Sequence, residues 1–167
     1  ERTVLVAQSL GLPEGSNVVI CPELEHAANV YPWVNLKRDG VDLKLVPARD
    51  GRIDVAGIES RIDARTKVVT VSSVSFVSGA RTDLRELSAI CRARGIFLMV
   101  DAAQSLGIVP TDVDELGVDA LACSAQKGLL GVYGQGVLYC RRERARAMHP
   151  PFLSRSNVEG DAHESDL

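Results

Sequence analysis

The sequence has 167 residues, enough for one compact domain around one core, and its 46% hydrophobic and 25% charged residues give an ordinary globular balance. A formal net charge of -3, with acidic and basic residues interspersed and only 4% aromatics, argues against a nucleic-acid surface: there is neither a basic stripe nor a stacking platform. No apolar run is long enough to span a bilayer, so no membrane partner is expected.

The chain opens with a short helical pattern carried by Val4, Leu5, Leu10 and Leu12 and ending near Gly11, where glycine can adopt the left-handed cap. Asn17 to Cys21 is an apolar run of strand type. A helix is predicted over His26 to Arg38, with Pro32 in its first turns. Leu43 to Pro47 is a second strand, and Asp54 starts a helix through Ile62. The β-branched run Lys67 to Val74 predicts a third strand. Asp83 and Glu86 form a capping box for a helix ending at Gly95. Three more strands follow: Ile96 to Asp101, Val118 to Ser124 and Gly136 to Arg141. Helix and strand alternate, which predicts an α/β domain: a three-layer α/β/α arrangement around a mostly parallel sheet.

Cysteines 21, 91, 123 and 140 are far apart and lack CxxC spacing, so neither a metal site nor a redox motif is expected. Buried free thiols in a reduced, cytoplasmic protein fit best. No secretory pattern opens the sequence. Because it begins at Glu1 within a helical pattern and ends in 161–167 without a stopping signal, the sequence reads as a piece of a longer protein.

In open α/β sheets ligands gather at the carboxyl ends of strands. Two apolar strands finish there in polar groups: Met99-Val100-Asp101 and Leu121-Ala122-Cys123-Ser124. Asp101 and Lys127, which lies just past the second strand end, are placed within folding reach of each other. By themselves they could be a simple ion pair. Small residues surround both, in Asp101-Ala102-Ala103-Gln104-Ser105 and Ser124-Ala125-Gln126-Lys127-Gly128, and small residues let a flat ligand approach the backbone.

These segments, with Gly134-Gln135-Gly136-Val137-Leu138-Tyr139, Glu25-His26-Ala27-Ala28-Asn29 and Val74-Ser75-Phe76-Val77-Ser78-Gly79, resemble the class V aminotransferase and cysteine desulfurase family of pyridoxal-phosphate (PLP) enzymes, fold type I. The resemblance covers nearly the whole chain. It implies pyridoxal 5'-phosphate as cofactor, with Lys127 as the Schiff-base residue and Asp101 on the pyridinium nitrogen. It further implies Gln104 on the phenolic oxygen, His26 stacked on one ring face, Ala103 packed on the other, and Ser124 with Gln126 at the phosphate. Lys127 and His26 are the implied catalytic residues. Asn29 and Ser75 are candidates for touching cofactor or substrate. Without the resemblance, His26 would read as an ordinary histidine, Gln104 as a helix-start residue and Ser124 as a turn cap. Gly131, Gly134 and Gly136 read as turn formers, and Cys123 as a packing residue.

The implied activity is that of a transferase or lyase acting on an amino acid, cysteine desulfurase-like or class V aminotransferase-like. Alternatives are an epimerase of the isopenicillin-N-epimerase type, another PLP lyase, or a scaffold that has kept the fold without catalysis. A nucleotide-binding Rossmann domain is disfavoured because no GxGxxG follows a first strand. Three positions depart from the family pattern: Gln126 where His is usual, Val132 where Pro is usual, and Phe76 where desulfurases of the sulfur-mobilisation type carry Asn. The family implies a homodimer, an incomplete PLP-binding large domain over 1–150, and an exit segment over 151–167 toward a small domain. On that view the segment alone is inactive.

Overall fold

The computed structural model describes residues 2–152. Helices alternate with strands in the order α1 (Arg2–Ser9), β1 (Asn17–Ile20), α2 (Ala27–Asn35), β2 (Asp42–Leu45), α3 (Val55–Arg61), β3 (Thr66–Ser72), α4 (Leu84–Ala93), β4 (Phe97–Asp101), α5 (Val113–Leu116), β5 (Ala120–Ser124), β6 (Gly136–Cys140) and α6 (Arg142–Ala145). The six strands form one sheet in the order β2-β1-β3-β4-β5-β6. Every pairing is parallel except β5 with β6, which is antiparallel and closes that edge.

Both faces of the sheet are covered, which is why the strand sequences are continuously apolar rather than alternating. Val19, Val69, Val71, Leu98, Val100 and Leu121 point to one side and pack on Val55 and Ile58 of α3 and Leu84, Leu87 and Cys91 of α4. Their neighbours Val18, Ile20, Val68, Met99, Ala120 and Ala122 point to the other, against Val6 and Ala7 of α1 and Trp33 of α2. This two-residue alternation between two helix layers is the three-layer α/β/α architecture. Each fully buried anchor such as Ile58 or Leu87 contributes about 1.5–3 kcal/mol by leaving water.

Some boundaries differ from expectation. His26 is the N-cap of α2, so the helix begins one residue later, at Ala27, and Pro32 falls in its second turn. The helix also stops at Asn35, followed by a separate tight turn over Leu36–Asp39 that ends at Gly40 with φ +76°. β3 ends at Ser72 because the Ser75 hydroxyl accepts the N–H groups of Val77 and Ser78 and bends the chain away. The short helix α5 was not foreseen, although Asp112 accepts from the N–H groups of Asp114 and Glu115 and Gly117 caps the other end. No helix among the described residues is long and apolar enough to cross a membrane. Of the expected exit segment 151–167, only Pro151 and Phe152 lie within the described residues.

Candidate functional site

Asp101 ends β4, the strand flanked by β3 and β5, opposite Ser72 on one side and Ala122 on the other. Its Oδ1 accepts the N–H of Ala103 at 2.8 Å. Among the described residues Oδ2 accepts no hydrogen bond. Burial holds the Asp101 carboxyl above its ordinary pKa, opposed by the Ala103 N–H and then by the charges of Lys127 and His26.

Lys127 follows the end of β5 in a tight loop, closed by Leu130 N–H donating to Lys127 O at 2.9 Å and Gly131 N–H donating to Ala125 O at 2.8 Å. The loop is pressed against the segment after β4. A Cβ on Gly128 would lie 2.5 Å from Leu106 O, and one on Gly107 (φ +89°) 2.4 Å from Gly128 O. Only glycine allows this backbone contact, which fixes the lysine loop relative to the Asp101 turn.

Asp101 and Lys127 line one cavity of about 460 Å³, together with His26, Ala103, Ser124 and Gln126. The His26 ring is fixed by its capping role, since Nδ1 accepts the N–H of Ala28 at 3.1 Å. Phe76 meets the His26 ring edge-on with centroids 5.0 Å apart, and the Nζ of Lys127 lies 5.7 Å from the Phe76 centroid. Phe76 thus stands where two of the expected site residues converge.

Of the candidates named from the sequence, six share this cavity and Gln104 is not on its wall. The turn after β4 accounts for this. Ser105 and Leu106 both donate their N–H to Ala102 O, which draws Ser105 inward to the Ser73 hydroxyl at 2.6 Å. Asn29 and Ser75 do not reach the cavity either. Asn29 is wholly buried between Glu25 and Thr70, and Ser75 donates to Leu24 O. Cys123 does line the wall, and it also packs in the core, as its apolar strand context suggested.

Further wall residues were missed: Thr3, Ala28, Ala122, Tyr133, Gly134 and Gln135. Ala122 was legible, since it stands two residues before Ser124 and shares its face. Tyr133 to Gln135 reach the site because β6 turns back on β5, pairing Gly136 with Ser124. Among the described residues no cysteine is in a disulfide; burial pushes Cys21 up to about 11 and Cys91 to about 12, which keeps both unreactive. Among the described residues no group of three His, Cys, Asp or Glu side chains could hold a metal.

Comparison with known proteins gives a consistent picture. The family model for class V aminotransferases matches residues 1–163. A probable cysteine desulfurase of Methanothermobacter thermautotrophicus is 37% identical over 159 residues, 95% of this chain and 40% of its own. Probable cysteine desulfurase 2 of Mycobacterium leprae is 43% identical over 143 residues, 84% of this chain and 33% of its own. Among solved structures, the apo cysteine desulfurase of Thermococcus onnurineus superposes with a TM-score of 0.87 at 34% identity, covering 95% of this chain and 40% of that one. A variant of the C-DES protein with glycine covalently linked to its PLP cofactor shares the fold, at TM-score 0.82 and 23% identity. The chain spans about 40% of the length of the first of these relatives.

Proposed function

The chain belongs to the class V aminotransferase family, and from that premise we propose that it forms the cofactor-binding core of a PLP-dependent enzyme acting on an amino acid in the manner of cysteine desulfurases. One observation carries the reading. The amine of Lys127 and the carboxyl of Asp101 line the same cavity at the carboxyl ends of adjacent strands, with Ala103 and Ala122 on its wall.

The residues present fit such a group. The cavity, about 460 Å³, is of small-molecule size. The open oxygen of Asp101 suits a cationic ring nitrogen, and Lys127 makes no ion pair among the described residues that would hold its amine away from an aldehyde. When bound, PLP supplies an electron sink for negative charge at the amino acid's Cα. In this reading Lys127 holds the aldehyde and moves the Cα proton, and Asp101 keeps the ring nitrogen charged. His26 and Ala103 bound the ring's two faces. Ser124 and Gln126 take the phosphate, and Gln104, in the turn after β4, takes the phenolic oxygen. The working unit is read as a cytoplasmic homodimer, supported by the buried thiols and by the exposed Leu130, Val132 and Tyr133 on the lysine loop and beside the cavity. Residues 1–150 are read as a large domain, with the segment beyond leading to a further domain.

The test uses the full-length protein. A visible lysine-linked chromophore is expected on addition of PLP and is lost in Lys127→Ala; a wild-type protein that takes up no PLP overturns the reading. With L-cysteine, a desulfurase transfers the sulfur to an acceptor thiol, giving a persulfide and L-alanine. A second reading, a PLP lyase of another kind, is favoured by Phe76, which brings an apolar ring beside Lys127 where desulfurases of the sulfur-mobilisation type carry Asn. Such a lyase would instead turn L-cysteine and water into pyruvate, ammonia and hydrogen sulfide, so analysis for alanine against pyruvate separates the two.

A further inference from the structure

Beside the cavity, but outside it, lies a buried polar cluster that the proposed chemistry does not use. Glu25 directly precedes His26 and is only 6% exposed. Its Oε1 accepts the N–H of Ser72 at 2.5 Å, and its Oε2 accepts the Ser72 hydroxyl at 2.5 Å and the Asn29 amide at 2.8 Å. Asn29, fully buried, accepts the Thr70 hydroxyl at 2.9 Å through Oδ1. Thr70 and Ser72 sit on the same face of β3, and Ser72 is the strand neighbour of Asp101.

A carboxylate buried this far from water is costly, and well-packed apolar residues usually give equal or better stability. Burial raises the Glu25 pKa, the bonds from Asn29 and Ser72 lower it, and the charge of Asp101 raises it further. Fold stability alone therefore does not call for a carboxyl here. What the cluster does geometrically is bind both ends of one short stretch. Glu25 holds the residue before His26 to the end of β3, and Asn29 holds the first turn of α2 to the same strand. Between these two anchors Asn29 N–H donates to His26 O at 2.8 Å and His26 Nδ1 accepts from Ala28, so the imidazole has little freedom left.

We propose that Glu25 is a positioning residue: with Asn29, Ser72 and Thr70 it clamps the first turn of α2 to the end of β3 and so fixes the His26 ring over the cavity relative to Asp101. The proposal rests on the PLP reading, because a fixed His26 matters only if a ring lies beneath it.

The experiment uses full-length protein and measures PLP affinity, the visible circular dichroism of bound PLP, and the melting temperature without PLP. Wild-type protein that binds no PLP sinks the underlying reading at the first step, before any variant is made. Given binding, Glu25→Gln is expected to weaken PLP affinity about tenfold, the lower end of what loss of an outer-shell partner does, and to diminish the visible dichroism. Thr70→Val, which removes only the outermost bond, should act in the same direction with less force and serves if Glu25→Gln does not fold. In a His26→Ala background either substitution should change affinity and dichroism by less than about twofold, because coupled residues are non-additive. Unchanged affinity and dichroism in Glu25→Gln, or an equal further loss in the His26→Ala background, would overturn the proposal; a fall in melting temperature alone would do the same.

Discussion

Asp101 and Asp119 stand at opposite ends of adjacent strands, and the fold treats them differently. Asp119 precedes β5 at the amino end of the sheet. Its Oδ1 accepts Arg144 Nε at 2.9 Å, and its Oδ2 accepts Leu98 N–H at 2.9 Å. Every oxygen is used to tie β4, β5 and α6 together. Asp101, at the carboxyl end, spends one oxygen on Ala103 and leaves the other open toward a cavity that also holds Lys127. The Asp119 carboxyl is spent on ties within the fold, whereas Asp101 keeps one oxygen without a hydrogen bond beside a cavity it shares with Lys127, the kind of place where a ligand is expected.

The largest expected effect breaks this comparison directly. In the full-length protein, on the proposed reading, Asp101→Asn should lower turnover about a hundredfold or more, the size expected when one preorganised electrostatic partner is removed. Its melting temperature without PLP should stay level or rise, because a desolvated carboxyl is replaced by a neutral group. Asp119→Asn should do the reverse: lose about 1–3 kcal/mol of stability and bind PLP normally per folded molecule. Steady-state kinetics and thermal melts decide; an Asp119→Asn protein with wild-type stability and damaged turnover would erase the distinction.

Next in size is Gly128→Ala. Its Cβ would meet the Leu106 carbonyl at 2.5 Å, so the lysine loop must move away from the Asp101 turn. A loss of about 1–3 kcal/mol in stability, typical of overpacking, is expected along with weaker PLP binding. Gly79→Ala provides the contrast. Gly79 has φ +71° but nothing within 4 Å of a new Cβ. It should cost about 1–2 kcal/mol through backbone strain and leave PLP affinity unchanged. Equal PLP affinities in the two variants would show that the glycine contact does not set the lysine.

Much of this division was legible in the sequence. Apolar runs ending in Asp101 and Ser124 marked the carboxyl end of the sheet, and alternation of elements gave its layers. The unforeseen features depend on contacts between distant residues. Asn29 looked available, yet Glu25 four residues earlier takes its amide, and its second partner Thr70 arrives only when α2 packs on β3. Gln104 looked aimed at the site until the turn closing on Ala102 left it off the wall. Phe76 read as a departure from a pattern, and only the fold puts its ring beside His26 and Lys127.

The two ends of the sheet should also answer pH with opposite sign. At the carboxyl end, burial raises the folded pKa of Asp101 above its ordinary 3.8, so its contribution to stability is present below that value and is lost as pH rises through the folded pKa. Asp63 precedes β3 at the amino end, where hydrogen bonds from Lys44 and Asn17 hold it well below its ordinary 3.8. Its contribution is present above 3.8 and lost as pH falls through the folded value. In full-length protein without PLP, Asp101→Asn should flatten the decline in melting temperature as pH rises above 3.8, and Asp63→Asn the decline as pH falls below 3.8. If Asp101→Asn flattened only the decline below pH 3.8, the assignment of burial as the dominant influence on Asp101 would be wrong.

The smallest effect concerns Phe76, the apolar ring beside His26 and Lys127. It is 55% exposed, so Phe76→Ala should shift stability by no more than about 0.5 kcal/mol. Its ring nevertheless lies 5.7 Å from Lys127 Nζ, within reach of an exposed cation–π contact of about 0.5–1 kcal/mol. That contact holds Nζ against the ring, and capture of an aldehyde requires the amine to leave it. Removing the ring should therefore speed the capture of added PLP by the full-length apoprotein by roughly two- to fivefold, followed as the rate at which the chromophore appears. Val77→Ala, at 61% exposure equally on the surface and without a ring to face the amine, should leave the rate unchanged. A slower capture in Phe76→Ala would mean that the ring guides the aldehyde inward more than it holds the charged amine.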